Sequence, residues 1–329
     1  MIVIYQRILS ILWKTAGLSL TWRKFLYRKL RQYGKVPDYP FLKDFYGLTY
    51  KGNLNNSIEA NIYFYGAFEK PLLFFLRDVL KTISEETSKP IFMDVGANVG
   101  QHSLFVSQLA WRVLAFEPYP KVSTQFKQLI KINQISNIEM YECGLSDESE
   151  SLSYYAPTGS NEGIGSFDEN TQIKGNKCFG KLELQKGDTV VEKTSWTGIK
   201  LIKIDVEGFE KKVIKGLRNT IKKERPIIVC EVTYGQELSF NTIQDLLNHL
   251  PVRYEILTFS TRKPDGRKNK KRNSLAKRTG YYELTVLKAW RQRGQDNLVC
   301  IPSEKSASVP RKSPGNQSQK KGLALRNQS

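Results

Sequence analysis

From Pro90 the chain alternates short apolar runs with longer stretches whose apolar residues recur at helical spacing. IFMDV (91–95) reads as a strand ending in a glycine turn, with a helix from about Gln101. RVLAFEP (112–118) is the next strand, followed by a helix over about 119–133, and IEMYECGL (138–145) is the third. KLIKIDVEG (200–208) is the fourth, running into a helix over about 209–223, and PIIVCEV (226–232) is the fifth, ahead of a helix near 240–249. This alternation predicts an α/β fold with a mostly parallel sheet, right-handed crossovers and helices on both faces. Upstream, the aromatic-rich residues 36–75 predict a few short strands or turns before a helix over about 70–84.

Two segments leave this rhythm. Residues 146–198 are polar and Gly/Ser-rich, with a second β-like piece around Lys181–Val191, and an insertion of that length inside a compact domain points to a functional loop. Within it, SNEGIGSF (160–167) has the small residues of a mobile lid over cofactor or acceptor. Residues 262–279 read as a basic hinge without apolar periodicity, followed by the strand-like YYELTVL (281–287) and NLVCIP (297–302). From Ser303 the composition turns Ser/Lys/Gln/Pro-rich and predicts disorder. No internal repeat is present.

Composition narrows the function. At 329 residues and 40% apolar, the chain can bury a core of one large or two ordinary domains. Cys143, Cys178, Cys230 and Cys300 are too sparse for a disulfide scaffold and lack metal-knuckle spacing, so they read as reduced thiols of a cytoplasmic protein. With only His102 and His249, a histidine-built metal site is disfavoured, and no metal is expected. The net charge of +19 belongs to the ends: residues 1–35 hold eight Lys/Arg and no Asp/Glu, and residues 262–329 hold eighteen basic and four acidic residues. Residues 36–261 net −3. Basic ends are attracted to an anionic membrane or a nucleic acid, or are simply solvated. Arg7 and Lys14 interrupt the apolar residues of the first segment, which rules out a spanning or signal-peptide core there. Tyr5, Ile8, Leu9, Leu12 and Trp13 fall at helical spacing instead, a basic amphipathic helix that fits either a membrane surface or the protein's own domain.

The strongest chemical signal is DVGANVG, Asp94 to Gly100, between a strand and a helix. Its glycines allow a tight turn and close approach of a ligand to the helix amino terminus. Glu117 ends the next strand, 21 residues after Gly96, where an acid can accept hydrogen bonds from both hydroxyls of a ribose. The pair implies a nucleoside-containing cofactor. The turn lacks the G-x-G-x-x-G of a dinucleotide site, and there is no P-loop. A cofactor with an amino acid end and no phosphate, S-adenosylmethionine (SAM), fits better than NAD.

PIFMDVGANVGQHSL, AFEP, LSDESES, IKLIKIDVEGFEKKVIKGL and PIIVCEV, in that order over about residues 90–260, resemble the FkbM family of SAM-dependent methyltransferases. The resemblance implies a Rossmann-like class I methyltransferase fold and methyl transfer to a hydroxyl of a sugar, glycolipid or secondary-metabolite acceptor. It assigns Asp94, Gly96, Asn98 and Gly100 to the first SAM motif and Glu117 to the ribose, and it matches Asp205, Glu207, Gly208 and Glu210 to the fourth-strand motif. The family's leucine–aspartate pair before that strand appears here only as GDTVV (187–191). The expected organisation is a basic amphipathic and accessory region over 1–60, a methyltransferase domain over 61–302 and a disordered basic tail over 303–329.

An alcohol acceptor must lose its proton as the new bond forms, and a positioned carboxylate can take it. Asp205, at the carboxyl end of a central strand where open α/β sheets bind ligands, is the first candidate, and Glu207 the second. Glu207 and Glu210 also suit plain capping of the helix that follows. Glu231 ends the fifth strand at the same edge, His102 follows the cofactor turn, and Asp147 lies where the adenine end is expected. The rival enzymatic reading is an RNA methyltransferase, disfavoured by the slightly negative body of the chain. The non-enzymatic rival is a membrane- or partner-binding protein with a vestigial SAM fold. The expected partners are thus a small-molecule or glycan acceptor and, at the cytoplasmic face, an anionic membrane touched peripherally.

Overall fold

The computed structural model describes residues 2–15, 17–158, 165–235, 238–263 and 267–314. Two helices, α1 (Ile2–Lys14) and α2 (Leu20–Gln32), precede a hairpin of β1 (Pro40–Phe45) and β2 (Leu48–Asn53), then α3 (Ser57–Tyr65) and α4 (Lys70–Glu86). The alternating part runs β3 (Ile91–Val95), α5 (Gln101–Val106), β4 (Arg112–Phe116), α6 (Pro120–Ile132) and β5 (Ile138–Tyr141). Next come β6 (Gly144–Ser146), β7 (Glu150–Ala156), β8 (Lys177–Lys186) and α7 (Gly187–Thr194). The chain continues through β9 (Ile199–Ile204), α8 (Glu210–Gly216), α9 (Arg218–Glu224), β10 (Ile227–Tyr234), α10 (Ile243–His249) and β11 (Tyr254–Phe259). Helix α11 (Lys270–Thr279), β12 (Leu284–Val286) and β13 (Gly294–Pro302) complete it.

Eight strands form the main sheet in the order β12-β11-β13-β10-β9-β3-β4-β5. The five strands from β10 to β5 are parallel, and β13 enters antiparallel between β10 and β11. The mostly parallel sheet is the one expected from the strand–helix alternation, and its order is the Rossmann-like class I arrangement that the family resemblance implies. Strand order reverses between β3 and β9, which opens a crevice at their carboxyl ends. Every residue of β3 is buried, as a strand covered on both faces requires. Alternation divides its side chains: Phe92 joins a cluster with Val113, Leu201 and Val229, while Ile91 and Met93 join one with Leu114, Ile202 and Ile228. Leu9 and Trp13 of α1 and Leu26, Tyr27 and Leu30 of α2 belong to the first cluster, so the segment 1–60 shares the core of the sheet.

Several expectations change. The third apolar run splits into β5 of the main sheet and β6 of a separate three-stranded sheet, β6-β8-β7. The helix expected over 209–223 is two helices. At the end of α8 a Cβ on Gly216 would lie 1.9 Å from the Ser146 carbonyl oxygen, so the chain must pass close to β6 at that point. Strand β11 was not marked by the apolar pattern. The basic segment 262–279 is no hinge after Lys270: it forms α11, capped by Asn269, which accepts from the Arg272 amide at 3.2 Å. Only Ala276 of that helix is buried, which is why no periodicity announced it. Nor is the chain disordered from Ser303. Val309 is buried, the Leu284 amide donates to Arg311 O at 2.7 Å, and Arg311 pairs with Glu255. Residues 315–329 lie outside the described residues. All four cysteines are free thiols.

GDTVV opens α7 and has a structural task. Buried Asp188 accepts from the Asn219 and Thr220 amides, both at 2.9 Å, and from Thr220 Oγ1 at 2.8 Å, so it closes the open first turn of α9. Asp188→Ala is expected to lower unfolding stability by about 2 kcal/mol in denaturant titration. A loss below about 0.5 kcal/mol, within the range of an ordinary surface change, would remove it from that role.

Candidate active site

The glycine turn between β3 and α5 is held against both neighbouring strands. The Gly96 and Ala97 amides donate to Phe116 O at 3.0 Å, and the Asp205 amide donates to Val95 O at 3.0 Å. Gly96 has φ +78°, and a Cβ there would lie 1.9 Å from the Asp205 carbonyl oxygen, so only glycine lets the turn rest on the end of β9. Glu117, buried just past β4, binds this turn through its carboxylate. It accepts from the Asn98 amide at 2.8 Å on one oxygen and from the Tyr119 amide at 2.9 Å on the other. Burial outweighs these hydrogen bonds and pushes its pKa up to about 7.

Beneath the turn lies Lys203 of β9, a lysine with 2% of its side chain exposed. Its Nζ is 3.3 Å from Asp205 Oδ2, 3.4 Å from Asp94 Oδ1 and 3.4 Å from Gly96 O. Burial alone would lower its pKa, but the charges of Asp205, Asp94 and Glu69 outweigh that and hold it above the ordinary lysine value. Asp94 also accepts from Ser103 Oγ at 2.7 Å. Glu69, at the amino end of α4, accepts from Asn297 Nδ2 at 3.0 Å while its other oxygen is buried without a hydrogen bond. Burial and then the Asp205 charge push Glu69 up to about 7.

Glu117, Lys203 and Asp205 border a cavity of about 240 Å³ at the carboxyl edge of the sheet. Gly96, Asn98, Glu117, Asp205 and Glu207, all predicted, line it together, as do Glu231 and His102. Asp205, Glu207 and Glu231 each bring a carboxylate oxygen within 4.8 Å of the others, a grouping able to hold one cation. Gln295 Nε2 donates to Glu207 and to Glu231, at 3.3 Å each. Burial, followed by the charges of Asp205 and Glu69, lifts Glu231 well above the ordinary carboxylate range. His102 is buried rather than solvated, and burial with the Lys203 charge holds its pKa well below the usual value.

Other predicted residues stand elsewhere. Asp94 and Gly100 lie behind the cavity wall: Asp94 anchors Lys203, and Gly100, at φ +76°, packs on the Phe126 ring. Asp147 is not among the lining residues, because Lys215 of α8 holds its carboxylate at 2.7 Å. Glu210 does not cap α8, whose N-cap is Phe209; it folds back on the preceding turn, accepting from the Gly208 amide at 3.0 Å and the Val206 amide at 3.3 Å. Of the SNEGIGSF loop, residues 160–164 lie outside the described residues, while Gly165, Ser166 and Phe167 line the cavity. Sequence reasoning overlooked Lys203, Glu69 and Gln295. The lysine interrupting KLIKID was a readable signal, since a charge inside a central strand needs a partner; Glu69 and Gln295 carry no comparable mark.

Curated relatives match part of this chain. A protein named methyltransferase 1, from Beauveria bassiana, is 29% identical over 142 residues, which cover 38% of this chain and 57% of the relative. The hexuronic acid methyltransferase AglP of Haloferax volcanii is 29% identical over 159 residues, covering 46% of this chain and 61% of the relative. The chain therefore spans about three fifths of the length of these relatives. A crystal structure of a methyltransferase FkbM from Methylobacillus flagellatus superposes with a TM-score of 0.40 at 16% identity, covering 65% of this chain and 44% of that one. Residues 94–256, which carry Glu117, Lys203, Asp205, Glu207 and Glu231, match the methyltransferase FkbM domain, so this chain carries an FkbM methyltransferase domain over nearly half of its length.

Proposed function

We propose that the protein is a SAM-dependent methyltransferase that acts on a hydroxyl of a sugar, glycolipid or secondary-metabolite acceptor. The observation that carries this reading is the meeting of Glu117 and the Asp205–Glu207–Glu231 group in one cavity at the sheet's switch point. The cavity fits the cofactor. Each Glu117 oxygen accepts a single amide and keeps a lone pair for a ribose hydroxyl. Val122, Leu145, Leu184 and the Tyr154 ring offer an apolar wall to an adenine. The carboxylates outnumber the ammonium of Lys203, which favours a cationic cofactor and opposes the pyrophosphate of a dinucleotide. The likeness to a relative named for hexuronic acid supports a sugar as acceptor.

When bound, the cofactor supplies an electrophilic methyl group on a sulfonium. The protein's task is to hold the acceptor oxygen on the axis of that methyl and to take its proton. Asp205 does the second, with Lys203 fixing its carboxylate at 3.3 Å; Glu207, tied to Gln295, is the alternative base. Glu231 keeps its proton to higher pH than an ordinary glutamate and so offers the acceptor a hydrogen-bond donor.

Calorimetric titration with SAM and S-adenosylhomocysteine tests the cofactor. Both are expected to bind, and Glu117→Ala to weaken both by at least about tenfold; failure of the unaltered protein to bind either would end the reading. Below about pH 7 the Glu117 carboxyl gains a proton and its hydrogen bonds to the ribose lose their charge assistance. Affinity for SAM should fall about tenfold from pH 8 to pH 6, with no such slope in Glu117→Gln. With radiolabelled SAM and a panel of sugars, Asp205→Asn should lower kcat by about 10²–10⁴-fold while SAM affinity is kept. Unchanged turnover would move the proton transfer to Glu207.

A further inference from the structure

The first two helices carry apolar surface that the fold leaves bare. Helix α1 turns Leu9 and Trp13 inward, yet Ile4, Ile8, Ile11 and Leu12 remain exposed on its other side. Their spacing makes one continuous stripe. Helix α2 adds exposed Leu20, Trp22 and Phe25. These seven come from sixteen exposed large apolar side chains among the described residues, so bare apolar surface is concentrated on this pair of helices. On α2, Lys24, Arg28 and Arg31 recur along one face. With Lys277 of α11 they line a groove of about 410 Å³ whose wall contains no Asp or Glu. The ammonium groups of Lys24 and Lys277 lie 3.7 and 4.1 Å from the centroid of the Tyr65 ring. Partial withdrawal from water, with the charges of Lys24, Arg31 and Arg28, lowers the Lys277 pKa. Cations gathered this closely repel one another unless an anion sits among them.

We propose that α1, α2 and α11 form a docking surface for an anionic lipid bilayer, with the apolar stripe entering the acyl boundary and the groove taking a lipid phosphate. Charge selects this partner. Residues 1–35 hold eight Lys/Arg and no Asp/Glu, so a second copy would set like charge against like across this face. A nucleic acid offers phosphates but nothing for Ile4, Ile8, Ile11 and Leu12, whereas a bilayer offers both phosphate and acyl chain. No helix of the described residues is long and apolar enough to cross a membrane, so the surface lies on the bilayer. Ser57 of α3 lines both the groove and the candidate active site, which sets the active-site cavity beside the docked membrane.

Flotation of the full chain with vesicles of phosphatidylcholine, alone or mixed with phosphatidic acid, tests the surface, with the thermal midpoint as folding control. Binding is expected to be at least about tenfold tighter on the anionic vesicles and to weaken in high salt. Ile8→Asp with Ile11→Asp, and separately Lys24→Glu with Arg28→Glu, should each remove most of it without lowering the thermal midpoint. Equal or absent binding to the two vesicle types would overturn the proposal, as would undiminished binding by both double variants. So would a dimer in sedimentation analysis that Ile8→Asp with Ile11→Asp dissolves, or capture of a single-stranded RNA without vesicle binding.

Discussion

A buried ammonium organises this protein. Moving an ion into the interior costs several kcal/mol unless opposite charges and hydrogen bonds replace water. Lys203 meets that demand with Asp94 from β3, Asp205 from the end of its own strand and the Gly96 carbonyl from the turn. Each partner is thereby fixed in place. Asp94 is turned under the sheet and Asp205 toward the cavity, while the glycine turn is drawn down onto β9. The carboxylates in turn depend on the lysine, because Asp94 Oδ1 is buried with no hydrogen bond and meets only that charge.

The site around this anchor holds strained backbone and buried acid. Glu69, Asn98 and Glu207 all have positive φ, a conformation uncommon outside glycine, and all three border the anchor or the cavity. Glu69 and Glu117 are pushed up to about 7, chiefly by burial, and Glu231 well above the ordinary range. Burying several acids in one pocket is expensive for the fold to maintain. A positive ligand would offset part of that cost, which is the physical argument behind the proposal of a sulfonium cofactor.

The sheet was legible because fully buried parallel strands need continuous apolar runs, and IFMDV, KLIKI and PIIVC can serve no other purpose at that length. The cofactor turn was legible because its backbone geometry demands glycine at 96 and 100. Other features left weak traces. Helix α11 buries one alanine, and the segment after Ser303 is held by single contacts such as Val309 and Arg311. Composition alone misjudged that segment, since a few fixed contacts order a polar stretch that average hydrophobicity would leave free.

The sequence by itself determined the fold class, the glycine turn after β3, the acid just past β4 and the acidic end of β9, since each is a local requirement of backbone geometry or strand burial. Tertiary structure alone decided which of those residues face a ligand. It withdrew Asp94 and Gly100 behind the wall, paired Asp147 with Lys215, brought Gln295 to the cavity from 90 residues away in the chain and set the charge of Glu69, 136 residues away, near Asp205. It also left α1 with two apolar sides, one packed and one bare. Such choices arise from which surfaces meet when the sheet, its helices and the buried ammonium of Lys203 pack together, and no local pattern encodes them.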